Sequence, residues 1–258
     1  MNYDKLNKYL GFSNETMEKT EDFFYKLSRL KIKLSKEEKT LCKSLDIDKH
    51  LAAIIKSDNV CTIRQLPNCN QYGEMDFNDT ADGICAFYVR KNIKTMREIN
   101  RVIYRNKIKY FKKGYNLFYF EGDKFEEYYM ALVKGKTDID ILKWRQTDAG
   151  NYCIDNLKLV AKIEEWQQKY DLVLWGCGRD WLRIFFIHEE PEYNSQFGAS
   201  NKKYYEKKRI RKERTPKFKE FANEVIEFCP DSITQICRNK TELIKEMQRM
   251  NGVYLWWD

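Results

Sequence analysis

Three aspartates sit where a carboxylate can meet solvent and a neighbouring ring at once. Asp180, Asp231 and Asp258 each lie beside a turn or a terminus, next to Trp181, Pro230 and Trp257. Asp258, as the final residue, is expected to add the chain's own carboxylate. If the last segment folds back near Asp180-Trp181, carboxylates and indoles line one cleft. Such a cleft could bind a cation, polarise water or grip a basic partner. The structural alternative is concrete: aspartates cap turns and tryptophans fill cores. For Asp231 it takes the form of amide bonds accepted from Ser232 to Thr234. Trp256 and Trp257 point to opposite faces if they occupy a strand, so one belongs in the core and the other is available as a recognition anchor.

Other reactive side chains offer less. Two histidines, His50 and His188, are too few for most histidine-based catalysis. No nucleophile elbow, phosphate loop or dinucleotide fingerprint is present, so no catalytic set and no cofactor are assigned. Cys61 and Cys69 are separated by seven residues, as are Cys229 and Cys237. Zinc sites use gaps of about two to four, so the eight cysteines are expected as small packed hydrophobes and no metal site is assigned. Cys229 ends a helix, where the dipole disfavours a thiolate.

The 258 residues, 43% hydrophobic, can bury a sizeable core. The first fifteen residues lack an apolar signal core, and no run approaches the ~18 apolar residues of a membrane span. A cytoplasmic chain with no membrane partner is therefore expected, its cysteines reduced. The formal charge of +8 is local. Residues 201–219 hold ten Lys or Arg and two Glu, and the remainder carries 37 of each sign. Lys202, Lys203, Lys207, Lys208, Arg209, Arg211, Lys212 and Arg214 make this segment the nucleic-acid candidate, with Tyr204 or Tyr205 to stack on bases. The plainer reading is a solvated charged face.

The elements that must position these residues are read from periodicity and punctuation. Residues 1–45 read as a helical extension, with Ser35 and Glu38 capping a helix from Lys36. A short helix follows, then a strand around Val60–Leu66, a turn-rich loop over 67–83, and a strand Ile84–Val89. A helix carries Ile93, Met96, Ile99, Val102 and Ile103. Strands Leu117–Phe120 and Tyr128–Val133 flank a turn at Gly122-Asp123. Asp155 caps a helix with Leu159, Ile163, Trp166 and Tyr170 on one side. Strands Leu172–Trp175 and Trp181–Ile187 follow, then a polar basic insertion over 189–217. Phe218, Phe221, Ala222, Val225 and Phe228 share one helical face that ends at Cys229-Pro230. Asn239 and Glu242 cap the next helix, Asn251-Gly252 supplies its left-handed cap, and 253–258 forms a last strand. The result is an α+β domain over 46–258, with a mixed or antiparallel sheet flanked by helices.

The pieces DIDILKWRQTDAGNY, EEWQQKYDLVL, GRDWLRIFF, EFCPD and YLWWD, with Gln235, resemble the bacterial family catalogued as domain of unknown function 4253. The resemblance covers about 136–258. It marks Asp148, Asn151, Asp180, Trp181, Asp231, Gln235, Trp256, Trp257 and Asp258 as signature positions without giving them roles. The basic insertion and the N-terminal helices depart from the family pattern. With no catalytic set, a non-enzymatic protein-binding module with a protein partner is expected, in an immunity or defence setting by analogy with small bacterial proteins. The alternatives are a hydrolase or metal-assisted enzyme using the aspartates, and nucleic-acid binding through 201–219.

Overall fold

The computed structural model describes residues 33–56, 62–88, 93–122, 127–186 and 217–257. Helices α1 (Lys36–Ser44) and α2 (Lys49–Ala52) lead into strands β1 (Ile63–Cys69) and β2 (Met75–Tyr88). Then come α3 (Ile93–Phe111), β3 (Tyr115–Glu121), β4 (Tyr128–Lys134), α4 (Asp138–Arg145), α5 (Asn156–Tyr170), β5 (Leu172–Cys177) and β6 (Trp181–Phe186). A helix over 217–228, α6, ends at Cys229. A single π-helical turn (Ser232–Ile236), α7 (Lys240–Met250) and β7 (Gly252–Trp256) follow.

The seven described strands form one mixed sheet in the order β1-β2-β4-β3-β5-β6-β7. Neighbours are antiparallel except β3 and β5. Side chains alternate between faces, because successive residues of a strand point opposite ways. Phe118, Phe120, Leu182, Ile184, Leu255 and Trp257 face one apolar cluster, which α4 to α7 complete. Leu117, Tyr119, Trp181 and Phe185 face a second, completed by α1, α2 and α3. Helices on both faces of a sheet give a three-layer arrangement. Among the described residues, no helix is long and apolar enough to cross a membrane.

Local signals account for most of the element ends. Ser35 Oγ accepts from Glu38 N at 3.2 Å and Glu38 Oε2 accepts from Ser35 N at 2.7 Å. Asp155 accepts from Lys158 N at 2.8 Å, and Asn239 from Glu242 N at 3.0 Å. Asn251 is the left-handed cap, with φ 55°. Gly252 serves another purpose than the expected cap: it opens β7 where a Cβ would lie 2.2 Å from Ile184 O. The acids and apolar residues of DIDIL alternate like a strand, yet Thr137 and Asp140 form a capping box that starts α4.

Most of the expected loop over 67–83 is strand, and only residues 70–74 turn. β2 runs from Met75, pairing Asn68 with Asp76 and Leu66 with Ala81. Its first part is exposed on both faces, so no burial pattern announces it. Register shifts at Gln65/Leu66 and Pro67/Asn68 bend this hairpin back over the sheet. Phe77 therefore lies 5.8 Å from Tyr129, and Trp144 Nε1 donates to Pro67 O at 2.9 Å. That bond and the one from Ile63 N to Glu38 Oε1, at 2.8 Å, occupy backbone groups on the β1 edge.

The β3–β5 ladder spans only Tyr119↔Gly176 and Phe120↔Cys177. Towards the start of both strands a polar cluster fills the gap. Asp138 Oδ2 accepts from Leu174 N at 2.7 Å and Gln167 Nε2 at 3.1 Å. Its Oδ1 accepts from Asn116 Nδ2 at 2.9 Å and from Lys107 Nζ at 3.1 Å. Lys107 comes from α3 on one face and Asp138 from α4 on the other, so the ion pair passes through the sheet. Burial pushes the Lys107 amine down, and the Asp138 charge opposes that push.

Candidate functional site

The β5–β6 turn, Gly178 to Asp180, is where the elements converge. Each of its carbonyls accepts a bond from a different direction. Thr147 Oγ1 donates to Gly178 O at 2.7 Å, and Asp148 N donates to Arg179 O at 3.0 Å. On the other side Trp257 N donates to Asp180 O at 3.0 Å. The loop after α4 and the strand β7 thus hold one turn between them. Asn156 Nδ2 fixes the loop in turn, donating to Leu142 O and Thr147 O. Glycine is needed where the turn opens: a Cβ on Gly178 would lie 1.9 Å from Trp181 Nε1.

The side chains beside this turn mix rings and charges. Trp181 pairs with Trp256 across β6 and β7, and its indole donates to Glu121 Oε2 at 2.7 Å. Tyr119 and Tyr254 flank the Trp181 ring at 5.4 and 5.8 Å. Arg183, fully buried on the same face, donates to Asn100 Oδ1 at 3.2 Å, and its charge opposes the rise that burial gives the Tyr119 hydroxyl. Burial pushes the Tyr254 hydroxyl well up, with Tyr119, Tyr128, Glu121 and Asp180 adding to the effect. Asp180 keeps solvent access, yet nearby protein strips enough water to raise its carboxyl. The backbone amide of Asp180 itself, the neighbouring Trp256 side chain and the charges of Arg179 and Arg145 offset part of that rise.

Arg145, 2% exposed, supports the site from beneath. Its Nη1 donates to Gly73 O at 2.5 Å and its Nη2 to Glu121 O at 3.3 Å. The bent-back hairpin thereby reaches the carboxyl ends of β3 and β5. Arg145, Thr147, Glu121 and Arg183 carry no sequence signal of a role, since each acts through partners distant along the chain.

The expected site residues divide clearly. Asp180, Trp181, Trp256 and Trp257 come together, with Asp148 held beside them through its amide. Trp257 is core, 2% exposed, with its indole on Phe228 O at 3.3 Å, so Trp256 is the tryptophan with an accessible side. Asn151 is exposed on the loop after α4, and Gln235 is exposed on the π turn. Asp231 is buried and accepts the Thr234 hydroxyl at 3.0 Å. The expected amide caps are absent there, because Ser232 N turns to Cys229 O while Ile233 N and Thr234 N turn to Pro230 O. Asp258, His188 and the eight basic residues from Lys202 to Arg214 lie outside the described residues.

The cysteines depart from expectation at one place. Cys153 is exposed, in a left-handed turn at φ 55°, and Cys69 is half-buried. Burial pushes the Cys177 and Cys229 thiols up to about 12. Among the described residues, no three His, Cys, Asp or Glu side chains gather as a metal-ligand set.

No curated protein and no solved structure matches the chain. One family does, over residues 129–200 and 207–258, which include α4, the held turn, the π turn and β7. The C-terminal half of this chain belongs to the family described as Domain of unknown function (DUF4253).

Proposed function

We propose that this protein is a non-enzymatic binding module that recognises another protein through the surface around Asp180 and Trp256. The observation that carries the reading is the pairing of those two side chains. A half-buried indole stands beside a carboxylate that the fold holds at a cost in hydration, the two brought together by the bond from Trp257 N to Asp180 O at 3.0 Å. A rigid aromatic with one accessible side beside a charge is the usual form of a recognition anchor. Two separate segments of the family-matched half hold the turn beneath it, which keeps the pair preorganised.

A bacterial cytoplasm, and an immunity or defence role there, belong to the same proposal. The buried free thiols fit a reducing compartment. An enzymatic reading through the aspartates gains less support. Asp231 is buried and holds the Thr234 hydroxyl, so it is not placed as a free acid or base.

Affinity capture from native lysate tests the reading, with wild type beside Trp256→Ala and Phe111→Ser. Phe111 is exposed at the end of α3 that leads into the start of β3, away from the turn. Expected is one protein retained by wild type and Phe111→Ser and lost by Trp256→Ala. Equal retention by all three would overturn it.

A further inference from the structure

The β1–β2 turn lies outside the family-matched half, yet it reaches the same end of the molecule. Gly73 O bonds Arg145, and a Cβ built on Gly73 would lie 3.7 Å from the Arg179 side chain. The loop after α4 touches Arg179 from the other side, through Asp148 N. Three loops from three parts of the chain therefore meet: residues 70–74, 147–155 and 178–180. Arg145 is the positioning residue, because one buried guanidinium ties the first loop to the β3 end and sits beside the third.

Their side chains suit a protein surface. Tyr72 is 64% exposed, and Leu157, just past the second loop, is 73% exposed. Tyr152 is also exposed. Large rings and an exposed leucine on anchored loops bury apolar area at low entropic cost. The charge is as telling. The three loops carry Glu74, Asp148, Asp155 and Asp180 against Arg179 and against Lys158, just past the second loop, whose ammonium donates to Cys153 O at 3.0 Å, so the face is net acidic in a chain whose formal charge is +8. A face of that sign repels phosphate and attracts lysine and arginine.

We infer that these three loops form one recognition face for a basic protein surface, with Tyr72 and Tyr152 as its rings and Asp148 and Asp180 as its charges. The inference rests on the binding reading above and extends it, by naming the partner's chemistry and by adding a loop from the N-terminal half. The outer surface of the Asp180–Trp256 pair becomes one border of a wider face.

The test measures binding of three short fluorescent peptides of equal length, basic, acidic and neutral, and of a DNA oligonucleotide, to the full chain. Expected is salt-sensitive binding of the basic peptide alone, weakened about tenfold or more by Tyr72→Ala combined with Asp148→Lys. Both positions are exposed, so the variants should keep the far-ultraviolet circular dichroism of wild type. Binding of the acidic peptide or the DNA at equal strength, or no peptide binding, overturns the inference. So does a basic peptide that binds the double variant unchanged. The native capture separates the two failures. If Trp256→Ala loses the captured protein and the double variant keeps it, the wider face is wrong and the binding reading stands. If Trp256→Ala also keeps it, the binding reading itself fails.

Discussion

Replacing Asp138 by alanine should be among the most damaging single changes in this chain. The carboxylate accepts four bonds, from Lys107, Asn116, Gln167 and the backbone of Leu174. Lys107 is 1% exposed, so without Asp138 its ammonium keeps only the Asn116 amide oxygen. Breaking a buried pair by removing one partner costs about 3–5 kcal/mol. The orphaned Leu174 amide adds about 1–3 kcal/mol, less whatever the gap regains by relaxing or by admitting water. A total of roughly 4–6 kcal/mol is a large share of the 5–15 kcal/mol typical of a domain. Urea unfolding monitored by tryptophan fluorescence would read the loss directly, as a fall in midpoint at unchanged slope. The double variant Lys107→Met/Asp138→Leu discriminates further. It removes both charges, so it should be more stable than Asp138→Ala alone. A loss under 1 kcal/mol for Asp138→Ala would refute the reasoning, as would a double variant less stable than the single one.

Other consequences follow from the same geometry. Asp180→Asn should stabilise the fold at neutral pH. A carboxyl raised on folding favours the protonated state, so its ionised form costs stability as pH rises through the folded value. Solvent screening keeps the gain small, about 1–2 °C in melting temperature, and it should vanish in acid below the unfolded carboxylate range. Melts of both proteins across pH would check the sign, and a gain that persists in acid would contradict it. Trp257→Ala should cost about 3–5 kcal/mol, because a buried ring packed edge-on against Phe228 leaves a cavity. Trp256→Ala should cost less than half as much, and chemical denaturation of the two would show the order. Under a thiol reagent at neutral pH, Cys153 should react first among the described cysteines. Cys177 and Cys229 should wait for unfolding, which mass mapping of modified peptides would reveal.

The sequence made the local events readable and left the distant ones hidden. Ser35, Asp155 and Asn239 announce helix starts, because a cap is a contact within three residues. Leu159, Ile163, Trp166 and Tyr170 announce a buried stripe, and all four are core. The alternation of Trp256 and Trp257 follows from the period of a strand, and the two do fall on opposite faces. The early part of β2 was missed because its pairing is carried by the backbone, while its side chains stay in solvent. The cluster at Asp138 was missed because its partners lie up to 36 residues away and meet only in a gap of the sheet. Arg145 reads as an ordinary helix-end base, and only the bent hairpin makes it a buried tie. Cys153 reads as a core thiol, and a left-handed turn puts it outside.

Recognition at this turn requires that the Trp256 side be covered when a partner is bound. Oxidative footprinting of the captured complex, against the free protein, measures that residue by residue. Protection of Trp256, with the already buried Trp257 unreactive in both states, is the result expected. A Trp256 that oxidises equally in the free and bound protein would contradict the claim that recognition happens here.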